Sequence, residues 1–518
     1  MTLRLLWATS QSFPLRFSLD LRTFVMKRIR ICVPLCVIAM AMLASNGVIN
    51  LTQPNPFRVS NNGTATRWEP SSAVHNVSGG TWTTAWAEQA LTKDSFASYW
   101  SNGWQSQKLL RTPTGFSVGD VNLAWDNSQS HYIFTAVEIS TPRMSTSQPN
   151  VWFGHSTDAL GSSWVFETKV FDGTFNTAGW DYPSIGVDGS GRIIIGAVAL
   201  HTCSPVPCNG AQGYYSAVST NHGSSFTPSP YALVTQGAGQ GGGAESRVVG
   251  TNTVFQAFVP VLNGSNLPTE VDRYQSSDGI TWPGSKTQTI LTFAAPVDHS
   301  PTFNTSEVIW YPAFLTAIGY SNGLWAIAFP VSYGKPPYNN IYICTPDRGC
   351  GVNPASEDQF YGGASVSGDS GYWLSFYTYT APQTLPLTTV AWYYAPGKGG
   401  IFATTNNNIN PTSWANVPKC MGSPPSCYAV GDFQSIASNS SAGASTPFIQ
   451  QTSGGNDDVY NSFPYDPQAP PGAQTPVANT IWFPLGSDVT QLAGPTDPDR
   501  SQAYPPGWGG PIPDLVGR

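Results

Sequence analysis

Ser219-Thr220-Asn221-His222-Gly223-Ser224-Ser225-Phe226 is the stretch on which the reading of the fold turns. An Asx side chain can accept hydrogen bonds from the backbone of its own turn. A nearby glycine supplies the positive φ that such a turn needs. The closing aromatic can bury its ring between adjacent sheets. The pattern recurs along the chain. Ser156-Thr157-Asp158-Ala159-Leu160-Gly161-Ser162-Ser163-Trp164 has one residue more, and Ser276-Ser277-Asp278-Gly279-Ile280-Thr281-Trp282 has one fewer. Thr345-Pro346-Asp347-Arg348-Gly349-Cys350-Gly351-Val352 keeps the spacing with Val in place of the aromatic. Thr404-Thr405-Asn406, followed by Trp414, is a worn copy. The Asx positions 158, 221, 278, 347 and 406 are separated by 63, 57, 69 and 59 residues. A period of that size, with strands in every repeat, reads as a β-propeller array.

Composition agrees. Of 518 residues only 10% are charged, while Gly numbers 51, Pro 44 and Trp 18. Such a chain is all-β and rich in turns, and a helical enzyme is disfavoured. The net charge is −7. Without residues 1–45, which hold six basic residues and one acid, 17 basic residues face 29 acidic ones, a balance of −12. No basic patch is visible, so nucleic acid and anionic membrane surfaces are excluded as expected partners.

The N-terminus reads as an export signal. Lys27, Arg28 and Arg30 precede an apolar run from Ile31 to Leu43, then the small residues Ala44-Ser45. Met26 stands just ahead, so residues 1–25 could be a mis-assigned extension. The alternative is an uncleaved anchor, for which the apolar run is short. Cys32 and Cys36 belong to this segment. The other six cysteines fall into three local pairs, Cys203/Cys208, Cys344/Cys350 and Cys420/Cys427. Six cysteines allow fifteen connectivities, and these separations favour local loop staples in an oxidising compartment. The expected localisation is secreted, extracellular or periplasmic, with no membrane contact after cleavage.

Residues 46–117 read as an N-terminal strand and a Trp-rich excursion that packs on the propeller. From 118 to 465 six units follow. Their opening strands begin near Gly119, Trp180, Ala244, Tyr311, Gly363 and Gly431. The expectation is an all-β fold, a six-bladed propeller with four-stranded antiparallel blades. The sixth unit lacks the Asx turn, so a strand from the other end of the chain should close it, from residues 51–60 or from 479–483. Residues 466–518, rich in Pro and Gly, read as an extended tail.

The turn pattern S/T-x-D-x-G-x-x-W resembles the Asp box, or BNR repeat, of the sialidase-like propellers. The resemblance covers the scaffold over 118–465. It implies that Asp158, Asn221, Asp278, Asp347 and Asn406 are structural and lie away from the active site. It also implies that the opening strands of the blades begin around the mouth of a central channel, where the site lies. At that offset the chain carries Asp120, Asp181, Glu245 and Asp432 as candidate catalytic carboxylates. Carboxylates converging on one mouth raise each other's pKa and suit general acid/base work or a cation. The competing reading is that they bind backbone N–H groups and fix the blade starts. Arg247, Tyr311 and Arg58 are the candidate substrate-binding residues. Phe57-Arg58-Val59 resembles the family's F-R-I-P motif without its Pro.

Family sialidases use three arginines, a Tyr nucleophile paired with a Glu, and an Asp acid. After residue 45 this chain has ten Arg. Arg58 and Arg247 fit two places, and Arg273, just before an Asx turn, should sit in an outer strand. The catalytic set is therefore incomplete. The leading expectation is a secreted, monomeric glycan-recognition propeller without sialidase activity. A glycoside hydrolase using the mouth carboxylates and an extracellular protein-interaction scaffold are the alternatives. No cofactor is expected, and a structural cation such as calcium is compatible with the carboxylates.

Overall fold

The chain divides into two compact units, Met1–Gly47 and Val48–Arg518. The computed structural model describes residues 57–59, 67–78, 81–90, 95–101, 108–139, 149–173, 179–199, 213–236, 246–249, 254–262, 268–292, 302–303, 307–308, 316–319, 324–333, 338–352, 357–366, 371–380, 384–395, 401–404, 420–421, 428–429, 436–438, 444–451, 457–462, 481–483 and 485–488. The expected export signal and the worn turn at Asn406 lie outside them. Among the described residues no helix is long and apolar enough to cross a membrane.

Inner strands explain why sheets assemble. Ile193–Ala199 and Gly213–Ser219 are buried at every position. The outer strand Trp164–Phe171 instead alternates half-buried and exposed residues over most of its length. A strand covered on both faces reads as a continuous apolar run, whereas one with a wet face alternates. Each sheet must therefore be sandwiched between two others.

Seven four-stranded meanders meet this demand. Their first strands are Arg67–Ser78 (sheet 1), Ser117–Asp126 (sheet 2), Trp180–Val187 (sheet 3), Ser246–Val249 (sheet 4), Thr316–Gly319 (sheet 5), Glu357–Val366 (sheet 6) and Ala437–Ser438 (sheet 7). These seven strands neighbour one another in that order, and the last returns to the first. The ring is a β-propeller with seven sheets among the described residues, not the six expected. The additional one is sheet 1, built from Arg67–Ser78, Thr81–Ala90, Ser95–Ser101 and Lys108–Leu110, whose sequence lacks the recurring Asx pattern and so reads as a packing excursion.

Sheet 7 takes its fourth strand from far upstream. Phe57–Arg58 pairs antiparallel with Asp457–Ser462. The C-terminal segment has another role: Ile481–Phe483 adds to the outer edge of sheet 5, and Ser487–Asp488 adds parallel to the outer edge of sheet 4. Leu485 between them packs on the core shared by those two sheets. A small eighth sheet joins Thr302–Phe303 and Glu307–Val308 to Cys420–Met421 and Tyr428–Ala429.

The core lies in the seams. Ile133, Val151 and Phe153 of sheet 2 pack with Trp180, Ile185 and Tyr215 of sheet 3. Phe258 and Val271 of sheet 4 pack with Trp325 and Tyr342 of sheet 5. The Asx turns sit between third and fourth strands of sheets 2 to 5 and plug these seams. Asp278 accepts from the backbone N–H of Ile280 at 2.8 Å and of Thr281 at 2.7 Å. These bonds outweigh desolvation and hold its carboxyl below the usual carboxylate range. Trp282 then packs on Ile194, Val218 and Phe255, and its Nε1 donates to Ser216 Oγ of sheet 3 at 2.8 Å. Cys344 and Cys350 form a disulfide across the matching turn of sheet 5. The other expected pairs fall on Cys203, Cys208 and Cys427, outside the described residues, and on Cys420, of which only the backbone is described.

The turn glycine is a test of this packing. Gly279 has φ +69°, and an added Cβ would meet Val218 Cγ2 at 2.5 Å, whereas Gly284 nearby has open space. Gly279→Ala is expected to lower unfolding free energy by about 2 kcal/mol, and Gly284→Ala to leave it nearly unchanged, both read from urea midpoints.

Candidate functional site

The first strands of four sheets share one irregularity. The pairing register slips between Trp68 and Ser71 in sheet 1, Gly119 and Asn122 in sheet 2, Asp181 and Ser184 in sheet 3, and Phe360 and Gly363 in sheet 6. Each slip is a β-bulge that places two residues opposite one. The inserted pairs are Glu69-Pro70, Asp120-Val121, Tyr182-Pro183 and Tyr361-Gly362. Pro70 and Pro183 fit because a bulge residue need not donate to the ladder.

Asp120 and Tyr182 hold the same bulge position with φ of 49° and 50°. Asp tolerates this region, but for Tyr it is a genuine outlier. Backbone strain of this kind is worth about 1–3 kcal/mol and must be held by its surroundings. Here Trp180 is the anchor. It is fully buried, and its Nε1 donates to the Asp172 carbonyl at 3.0 Å. The Tyr182 N–H donates back to Asp181 Oδ1 at 2.9 Å.

The bulges bring Asp120 of sheet 2 and Asp181 of sheet 3 together. Their carboxyl groups are hydrogen-bonded to each other. Burial, then the neighbouring Asp120 charge, pushes Asp181 well above the ordinary carboxylate range. Two adjacent carboxyls that cannot both ionise share one proton, and their titration belongs to the pair. Tyr182 flanks the pair and packs partly against Val198, Tyr214 and Val259.

The other candidates are placed differently. Glu245, Asp432 and Tyr311 lie outside the described residues. Arg247 stands in the first strand of sheet 4 opposite Gln256. Arg58 is on the outermost strand of sheet 7, three strands from the channel side, because its segment closes that sheet from outside. Arg273 is on the third strand of sheet 4, its guanidinium 5.7 Å from the Trp325 ring centroid. Asp158, Asn221, Asp278 and Asp347 sit in turns between third and fourth strands, and Asp347 accepts from Tyr372 Oη at 2.7 Å. The described residues contain no group of three or more His, Cys, Asp or Glu able to hold a metal ion. Sequence reasoning missed Tyr182, and the matching register position of sheet 1 at Glu69. The signal was there in Trp68-Glu69-Pro70 and Trp180-Asp181-Tyr182-Pro183, a Pro just inside the start of an apolar strand.

No family model and no curated protein matches the chain. Solved structures do resemble it. A protein of unknown function from Dyadobacter fermentans aligns at TM-score 0.39 and 12% identity, over 80% of this chain and 99% of that one. The α-L-arabinofuranosidase Arb93A of Fusarium graminearum aligns at TM-score 0.37 and 11% identity, over 80% and 96%. The Trypanosoma rangeli sialidase aligns at TM-score 0.36 and 12% identity, over 68% and 60%. Similarity this weak assigns no activity to this chain.

The shared proton has a measurable sign. A carboxyl whose pKa is raised by folding binds more protons folded than unfolded between its ordinary value and the raised one. Its stabilisation is present in acid and is lost as pH rises through the raised value. Asp272, pushed up to about 6 by burial despite Lys286 3.1 Å away, acts in the same direction. The useful comparison is therefore with Asp181→Asn, which keeps the neutral shape. Relative to the natural protein, its unfolding free energy should climb steadily as pH is raised from about 4, measured by urea titration; a constant difference would show that no proton is shared.

Proposed function

We propose that the chain is a secreted, sialidase-like propeller that recognises glycans at the rim where Asp120 and Asp181 meet, without sialidase activity. The observation that carries this reading is the direct hydrogen bond between the two carboxyls. A glycosidase pair flanks the bond it cleaves, with carboxyls about 5–5.5 Å apart in retaining enzymes and about 6.5–9.5 Å apart in inverting ones. Carboxyls in hydrogen-bond contact are too close for that division of roles. With their one proton held between them, they present several acceptor oxygens to a polyol instead, and the flanking Tyr182 ring offers an apolar face. Arg58 stands on the outermost strand of sheet 7 and Arg273 on the third strand of sheet 4 beside the Trp325 ring, so neither supports a carboxylate clamp beside the pair. The Cys344–Cys350 disulfide fits an oxidising compartment.

A second reading has its own support. A carboxyl whose pKa is raised by burial and by a carboxylate neighbour suits a general acid. In that reading Asp181 protonates a leaving group and a separate carboxylate, Glu245 or Asp432, completes a glycoside hydrolase.

A glycan array and a panel of chromogenic glycosides, sialosides included, distinguish the two. The expected result is array binding without turnover, weakened about tenfold or more in Asp181→Asn and Asp120→Asn. Turnover abolished by the same substitutions would establish the hydrolase. Neither binding nor turnover would sink both and leave a protein-interaction scaffold.

A further inference from the structure

Three imidazoles gather at the far end of the strand that carries Asp120. Asp126, which ends that strand, is fully buried. Its Oδ1 accepts from the Ser128 N–H at 2.8 Å, while its Oδ2 lies 3.6 Å from His222 Nδ1. His222 belongs to the Asx turn of sheet 3, has φ 58°, and also lies 3.3 Å from Ser128 Oγ of sheet 2. It packs on Gly191, where an added Cβ would meet its Nδ1 at 2.3 Å. His131, opposite Asp126 in the ladder, stacks on His155 with ring centroids 4.8 Å apart and planes 13° apart. His155 Nδ1 lies 3.1 Å from Glu167 Oε2 on the outer strand of sheet 2.

The charges do not balance in acid. Two imidazoles have carboxylate partners: His155 has Glu167 and His222 has Asp126. The third, His131, has a buried Nε2 with no hydrogen-bond partner among the described residues. Charging all three puts a cation without a partner of its own against a second cation in face-to-face contact. Asp126 and Glu167 are the anions facing His131, and each is already opposed by another imidazole. The Asp188–Arg192 ion pair brackets Gly191 in the turn on the other side of His222.

The cluster also sits where sheet 3 is pinned to sheet 2. Thr168 Oγ1 of sheet 2 donates to the Gly223 carbonyl at 2.8 Å, and Phe226 meets Phe153 at 5.5 Å between centroids. We propose that this cluster is an acid-sensitive latch: protonation of His131 beside His155 loosens the turn carrying His222 and opens the seam between sheets 2 and 3 at the end remote from Asp120 and Asp181. The latch stands independently of the glycan reading. Burial and the His155 charge hold His131 below the usual histidine range, so the latch stays closed near neutral pH.

Hydrogen exchange read by mass spectrometry tests it on the full chain at about pH 7 and about pH 5, with labelling times scaled for intrinsic rate. Peptides spanning 126–131, 160–168 and 219–226 should exchange about tenfold faster at the lower pH, while those from Trp325–Thr345 in sheet 5 should not. His131→Asn should abolish the local rise. His155→Gln, at a half-exposed position, should abolish it too, and serves if the first variant fails to fold. A rise spread evenly over all sheets, no rise, or a local rise undiminished in the variants would each overturn the latch.

Discussion

Burial of both faces of the inner strands is the constraint on which this structure depends. Runs such as Ile193-Ile194-Ile195 have no wet side, so no sheet is viable alone. The solution is a closed sequence of seams, those from sheet 1 to sheet 6 filled from both sides by aromatics and branched aliphatics, with large rings such as Trp180 and Trp325 at the centre. The Asx turns follow from the same need. A tight hairpin held by its own Asp carboxylate delivers a Trp or Phe into the seam with the preceding sheet, and a glycine carbonyl in the turn accepts from that sheet, as Gly279 does from Ser216 Oγ at 2.9 Å.

The site is built from the irregular ends of these strands. A regular ladder would send Asp120 and Asp181 to positions fixed by the pleat alone. The bulges rotate the chain there, and positive φ at Asp120 and Tyr182 records the strain that this requires. Rigid seams below and strained rims above are two sides of one arrangement: Trp180 locks the backbone immediately before the residue that is presented.

Much of the scaffold was legible because its signals are local. The spacing of the Asx turns located sheets 2 to 5. Sheet 1 escaped notice because its sequence does not repeat the Asx pattern, so its Trp-rich strands read as an excursion. The convergence of Asp120 with Asp181 was legible only as a shared strand start. The one-residue offset between them, one on a bulge and one before it, depends on backbone angles that Asp and Tyr do not announce. Arg58 misled in the opposite way: a motif-like triplet placed it at a site, whereas its strand is the outermost one of sheet 7.

Ile481–Phe483 and Ser487–Asp488 lie along the outer rims of sheets 5 and 4 and satisfy backbone groups on each. Open strand rims are templates for intermolecular pairing, and natural proteins cover or blunt them. A protease cut ahead of Ile481 would bare two such rims side by side, next to the apolar surface that Leu485 covers. Clipping there would open both edges to pairing with another copy of the chain, so Ile481–Phe483 and Ser487–Asp488 act as covers for strand edges that would otherwise be adhesive.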